Sequence, residues 1–375
     1  MIYLDSAATT YPKPDEVHEA VNYGLKTYSF NSGRGSYKAA FSTFKMIEET
    51  REKIGAFVGV KKECVIFTSS ATESLNNIIY GLDLKKGDVV FVSPFEHNSV
   101  IRPLMNCGVD IKIIPFDKKW NLDESKFNDM MVLYSAKAVI ISHISNVTGF
   151  ELPYKSIFKM AKEKNIITVL DAAQSFGVYN IDPEFSDIIV FAGHKALYAI
   201  TGIAGFILCN DIDLKVYKSG GTGSDTLNPK MPEQIPYKYE AGSLNSVGIY
   251  TINKSIDFLK TSDFDKIKSS LVSYLLDRLR NFGDNIIIYA PHDYLPRGIV
   301  SFNIKGFSSD DIGAILSEEF DICVRTGYHC APYVHDFISS KEYNGTVRVS
   351  FSGFNTKEDV DSLIKALKLI VGDSL

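Results

Sequence analysis

Seven short apolar runs, at 64–67, 89–92, 110–114, 138–142, 166–170, 187–191 and 203–208, constrain the fold of this chain more than any other feature. Each is long enough for a strand and short for a helix, and helix-length segments or loops separate them. Runs apolar throughout mark strands covered on both faces, the condition of a mostly parallel sheet with helices on either side. The expected class is therefore α/β. Upstream, a short strand at Ile2 leads into a loop punctuated by Pro12 and Pro14. A helix follows from Asp15 to about Tyr28, then a Gly-Arg-Gly turn at 33–35. A longer helix spans Tyr37–Val58, with Phe44, Ile47, Ile54, Phe57 and Val58 on one face. Beyond about Asn245 the order changes to a helical stretch at 247–281, strands near 286–289 and 298–303, and a helix at 309–318. Strands near 321–324 and 346–351 and a closing helix at 356–371 complete a smaller α+β unit.

Two of the core runs end in chemistry. Val169-Leu-Asp171-Ala-Ala-Gln174 and Asp187-Ile-Ile-Val-Phe-Ala-Gly-His194-Lys195 each pass from apolar to polar at what should be a strand tip. In open α/β sheets, ligands bind outside the carboxyl ends of the strands, so both tips should face one crevice. A lysine there, partly desolvated, has the lowered pKa that imine formation needs. A carboxylate opposite it suits a protonated pyridine nitrogen. Lys195 with Asp171 is thus the protein side of pyridoxal 5′-phosphate (PLP) chemistry. Singly, each reads more plainly as a surface lysine and a helix-capping aspartate. Thr68-Ser-Ser70-Ala-Thr72-Glu73 opens a helix after the first core strand. Ser70 and Glu73 fit a capping box, and the helix N-terminus with a nearby Thr hydroxyl is a ready phosphate site.

Other strand ends add to the crevice. His97 follows the run at 89–92, where its ring can lie over a flat cofactor or move protons; a locally satisfied loop histidine is the plainer alternative. Asn146 follows the run at 138–142 and can bond a ring oxygen or a substrate carboxylate. Of five scattered cysteines, Cys330 alone sits in a Gly/Pro-bounded loop with Arg325 and His329 nearby, so it is the candidate nucleophile. Arg348, inside an apolar strand, must be paired, either with a substrate carboxylate or in a structural salt bridge. No two cysteines form a C-x-x-C pair, so neither a disulfide framework nor a zinc site is expected. A net charge of −5 gives no footprint for nucleic acid. No apolar run approaches the ~20 residues a bilayer needs. The start lacks a signal-type core, and a reducing cytoplasm is the expected location.

Taken together these segments resemble the cysteine desulfurase and selenocysteine lyase group of class V aminotransferase-like, fold-type I PLP enzymes. The resemblance runs from Tyr3-Leu-Asp-Ser-Ala-Ala through Glu96-His97-Asn98, Ser145-Asn146-Val, Asp171-Ala-Ala-Gln174 and Gly193-His194-Lys195. It continues through Glu240-Ala-Gly-Ser243 and Arg325-Thr-Gly-x-His-Cys330 to Arg348 and Asn355-Thr. It implies a large PLP-binding domain at 12–258 and a small domain made of 1–11 with 259–375. It implies that Lys195 bonds the cofactor aldehyde and later moves the α-proton, that Asp171 pairs with the pyridinium, and that Gln174 bonds the ring oxygen. His97 would stack on the ring. Thr72 and His194 would hold the phosphate, with Ser243 supplied by the partner subunit of a homodimer. Arg348, with Asn146 and Arg325 nearby, would grip the carboxylate of L-cysteine. Cys330 would take the sulfur as a persulfide, leaving alanine, and pass it to a protein acceptor.

Four departures stand out: Ala192 in place of a frequent serine, Tyr198-Ala-Ile-Thr201 for a commoner Tyr-Gly-Pro-Thr, Tyr328 for a histidine, and no histidine flanking Arg34. They leave open L-selenocysteine as substrate, or another PLP-dependent aminotransferase or lyase reaction on a different amino acid. A sulfur-relay binding protein without turnover is a further alternative. Intact Lys195 and Asp171 argue against it.

Overall fold

The computed structural model describes residues 1–33 and 35–372; Arg34, the middle residue of the Gly-Arg-Gly turn expected at 33–35 and the site of one departure, therefore falls outside the described residues. Its centre is a seven-stranded sheet. The strands are β2 (Val65–Thr68), β3 (Val89–Val92), β4 (Asp110–Ile113), β5 (Ala136–Ser142), β6 (Ile167–Asp171), β7 (Ile188–Ala192) and β8 (Ala204–Leu208). Their spatial order is β2-β8-β7-β6-β5-β3-β4. Strands β4, β3, β5, β6 and β7 pair in parallel, and β8 runs antiparallel to both β7 and β2. The connection explains the reversal. A loop of residues 193–203, without a helix, joins β7 to β8 and is short for the helical crossover that a parallel neighbour requires.

Alternation along each strand divides the interior in two. Val90 and Val92 of β3 pack with Ile140, Val169 and Val190 under α3 (Ala71–Gly81) and α4 (Asn98–Cys107). Phe91 points the other way, to Val139, Leu170 and Ile189. That face is covered by α2 (Lys38–Val58), α5 (Glu124–Leu133), α6 (Tyr154–Lys162) and α7 (Ser246–Leu259). Helix α1 (Asp15–Thr27) lies against α7.

The apolar stripe expected along α2 is only partly right. Ile47, Ile54 and Val58 are buried, whereas Phe44 and Phe57 remain partly exposed. Their place on the inner face is taken by Thr43, Thr50 and Arg51. Arg51 is buried because Glu240 meets it fork to fork, at 2.7 and 2.6 Å, and its Nη1 also donates to the Val65 carbonyl. Glu240 in turn accepts the Phe67 N–H at 2.7 Å. This pair therefore nails the 240–243 loop to the edge strand β2. Glu240→Ala would leave the Arg51 charge buried and unpaired. Its expected cost is about 3–5 kcal/mol, read as a fall in urea midpoint at unchanged denaturant slope.

The stretch expected as one helix at 247–281 is two, α7 and α8 (Phe264–Arg280), broken at 260–263. Helix α8 packs with α9 (Ser309–Phe320) and α11 (Lys357–Val371) around a separate core. Here β9 (Ile286–Ile288), β10 (Ile299–Ile304) and β12 (Val347–Ser350) form an antiparallel sheet. The first strand, β1 (Ile2–Tyr3), pairs in parallel with β11 (Ile322–Cys323), so the chain start lies against its last third. A short helix, α10 (Val334–Phe337), follows the Cys330 loop. Among the described residues no helix is long and apolar enough to cross a membrane, and no His, Cys, Asp or Glu cluster could hold a metal.

Candidate active site

The carboxyl ends of β2, β3, β5, β6 and β7 converge on one cleft. Thr72, His97, Asn146, Asp171, Gln174 and Lys195 line the same cavity there. Asp171 ends β6 and is buried; its Oδ1 accepts the Ala173 N–H at 3.0 Å. Burial pushes its carboxyl above the usual range, against the pull of the Lys195 charge. Lys195 follows β7. Burial pushes its ammonium below the usual lysine value, opposed by Asp171. The opposing effects describe two groups close enough to feel each other in a medium poor in water.

The other members are held by local backbone. His97 caps α4: its Nδ1 accepts the Ser99 N–H at 3.0 Å, which places the ring proton on Nε2. Burial, helped by the Lys195 charge, lowers its pKa to about 4, so the ring is neutral at physiological pH. The local satisfaction and the exposure to the cleft thus coexist. At α3, Ser70 caps the Glu73 N–H, but the Glu73 carboxylate turns to the Ser69 N–H rather than closing the expected box on Ser70. The first amides, of Ala71 and Thr72, keep no partner among the described residues. His194 Nδ1 is likewise buried without a partner. Burial lowers the His194 pKa to about 4. Free helix amides, an orphaned imidazole nitrogen and a desolvated lysine facing a buried carboxyl are what PLP would require of its surroundings. The residues present fit the group.

Gln174 donates through Nε2 to the Ala7 carbonyl at 2.8 Å, so the N-terminal segment fixes it. Arg348, on β12, is only 2% exposed. Its Nη1 donates to the Asn146 carbonyl at 2.8 Å and its Nη2 to Asp5 at 2.6 Å, while Nε is buried without a partner. Its structural salt bridge is therefore real, and one donor is still unspent. The Arg325 backbone pairs with that of Arg348 in both directions, while its guanidinium is exposed and makes no ion pair among the described residues.

Cys330 is the exposed member of the five free cysteines. Its loop is strained and pinned at once. His329 and Cys330 have φ of 48° and 56°, left-handed values that cost non-glycine residues about 1–3 kcal/mol each. Four hydrogen bonds hold them: Asn98 N to the Cys330 carbonyl at 2.7 Å, Asn146 Nδ2 to the His329 carbonyl at 2.8 Å, His329 Nε2 to the Thr346 carbonyl at 3.1 Å, and His335 Nε2 to the Tyr328 carbonyl at 3.0 Å. Two of these come from the residues flanking the cleft, so the thiol is carried at a fixed place beside it.

Ser243 is not brought to this cavity; within one chain it is exposed and borders other hollows, against Glu240 and Leu244. The departure after Tyr198 lies at Ala199 and Ile200: Ala199 is buried and its N–H donates to the Gly193 carbonyl at 2.8 Å, while Tyr198, shared with the commoner pattern, turns with φ 57° and accepts the Gly353 N–H at 2.7 Å. Sequence reasoning assigned nothing to Glu96 or Asp5. Glu96 is buried between β3 and β5, accepts the Ser142 N–H at 2.9 Å, and has its carboxyl pushed up to about 8 by burial. Its place beside His97 was the one available signal.

The model of the class-V aminotransferase family matches residues 2–363. A protein of Methanothermobacter thermautotrophicus named as a probable cysteine desulfurase is 32% identical, over 99% of this chain and 95% of its own. A cysteine desulfurase of Haloferax volcanii is 30% identical, over 98% of this chain and 88% of its own. The apo structure of a cysteine desulfurase from Thermococcus onnurineus superimposes with a TM-score of 0.90 at 29% identity, covering 99% of this chain and 94% of that one.

Proposed function

The chain belongs to the class-V aminotransferase family, and from that premise we propose that it is a PLP-dependent cysteine desulfurase that leaves L-alanine and a persulfide on Cys330. The observation that carries the reading is the joint lining of one cleft by Lys195, Asp171 and His97, with an exposed cysteine pinned at its rim. When bound, the cofactor supplies an electron sink for bonds to the substrate α-carbon. The residues do the rest. Asp171 provides the negative charge that a protonated ring nitrogen needs, and Gln174, in the turn after β6, would bond the ring oxygen. The amides of Ala71 and Thr72, the Thr72 hydroxyl and His194 receive the phosphate. Lys195, its proton affinity lowered by burial, is the group placed to take the α-proton. Arg348, with Asn146 and Arg325, orients the substrate carboxylate. The Cys330 thiolate attacks the substrate sulfur, an S–S bond forms, and the Cβ–S bond breaks with its electron pair left on carbon. A proton delivered to that carbon and return of the α-proton from Lys195 complete alanine.

A homodimer belongs to the same reading, since Ser243 lies away from its own Lys195 and is offered to a second copy. So do a reducing cytoplasm, a protein that accepts the sulfur, and the division into 12–258 and 1–11 with 259–375, which the two separate cores and the β1–β11 pairing support. The test is release of sulfide and alanine in equal amounts from L-cysteine with a reductant present. A holoenzyme that returned mercaptopyruvate instead would be an aminotransferase, and one that returned pyruvate and ammonia a β-eliminating lyase.

A further inference from the structure

The N-terminal segment does more than begin a strand. Residues 5–13 run as a strap that bonds in turn to Arg348, Gln174 and His194. Asp5 holds Arg348 Nη2 at 2.6 Å; the Ala7 carbonyl holds Gln174 at 2.8 Å. Then Thr10 N, the Thr9 and Thr10 hydroxyls and Lys13 Nζ all donate to the carbonyl of His194, the residue before Lys195, at 3.0 to 3.2 Å. The strap is itself anchored, with Ala7 N donating to Ser350 Oγ at 2.9 Å.

Resting on the assignment of Arg348 to the substrate carboxylate, we infer that Asp5 is a positioning residue and an internal competitor for that carboxylate. The Arg348 guanidinium is nearly inaccessible, and the Asp5 side chain that neutralises it is 19% exposed. With Nη1 committed to Asn146 and Nη2 to Asp5, the guanidinium plane is fixed while buried Nε keeps an unspent N–H. A buried arginine without Asp5 would be an uncompensated charge, so Asp5 makes the empty cleft tolerable. Its negative charge is also felt by any carboxylate that binds the same guanidinium. Asp5 therefore aims the arginine and weakens its grip at the same time. Product alanine carries the same carboxylate as cysteine, so the weakened grip favours its release.

The test titrates holoenzyme with L-alanine, which bears the carboxylate and has no leaving group, and with L-alaninamide, which lacks it. Cofactor absorbance reports both dissociation constants. Asp5→Asn keeps an acceptor for Nη2 and removes the charge; Asp5→Ser is a second neutral variant should the first fold poorly. Both are expected to bind L-alanine about threefold to tenfold more tightly, the scale of a screened like-charge contact, with L-alaninamide unchanged. In an Arg348→Lys background the tightening should disappear. Unchanged or weaker L-alanine binding in both Asp5 variants overturns the inference, as does an equal shift for L-alaninamide. If Arg348→Lys alone leaves L-alanine binding as in the wild type, the carboxylate assignment fails, and the inference fails with it.

Discussion

Cys330→Ala is expected to lower sulfur release from L-cysteine by at least about a thousandfold while leaving cofactor binding intact, as removal of a nucleophile from an otherwise assembled site does. The thiol belongs to no packed core, so its loss should not change stability; its neighbours hold the loop through the backbone at Cys330 and the carbonyl of His329. The same variant separates sulfur from selenium chemistry. A weaker C–Se bond needs less assistance, so L-selenocysteine turnover should fall far less than L-cysteine turnover. Parallel assays of sulfide, selenide and alanine check this. Full retention of cysteine activity would remove Cys330 from the mechanism.

The second large effect is at Lys195. Its ammonium lies in a desolvated cleft facing a buried carboxyl, an arrangement that a merely structural lysine would not need. Lys195→Ala removes both the covalent hold on the cofactor and the group placed to move the α-proton. Turnover should drop by at least about ten-thousandfold, the upper range for a positioned acid–base group. The associated marker is chemical. Borohydride treatment of wild-type holoenzyme should fix cofactor to the peptide bearing Lys195, and treatment of the variant should fix it to none. Added methylamine should restore part of the lost rate by entering the vacated space.

Apolar runs made the sheet legible, because strands buried on both faces have few polar positions to confuse the pattern. The direction of β8 was not, since apolar runs carry no sign of polarity. Nor was the buried face of α2: period alone selected Phe44 and Phe57, but Arg51 took an inner position because Glu240, distant in sequence, was there to neutralise it. The break between α7 and α8 falls in Lys260-Thr-Ser-Asp263, where nothing as strong as proline or glycine interrupts the pattern.

The cleft was readable in the same uneven way. Asp171 and Lys195 end apolar strands, and strand tips of an open sheet share an edge. Arg348 posed a choice between ligand and salt bridge that sequence could not make. Its partner Asp5 lies at the opposite end of the chain, and only the pairing of the first strand with the last third brings them within 2.6 Å. Pinning of the Cys330 loop by Asn98 and Asn146 was equally invisible, because it depends on three separate loops meeting.

Mass spectrometry of the holoenzyme after a single turnover of L-cysteine without reductant tests the central claim most directly. One sulfur atom should be gained, on the peptide bearing Cys330, with one alanine released per site. Alanine released with no sulfur on Cys330, or sulfur carried on another cysteine, would contradict the account.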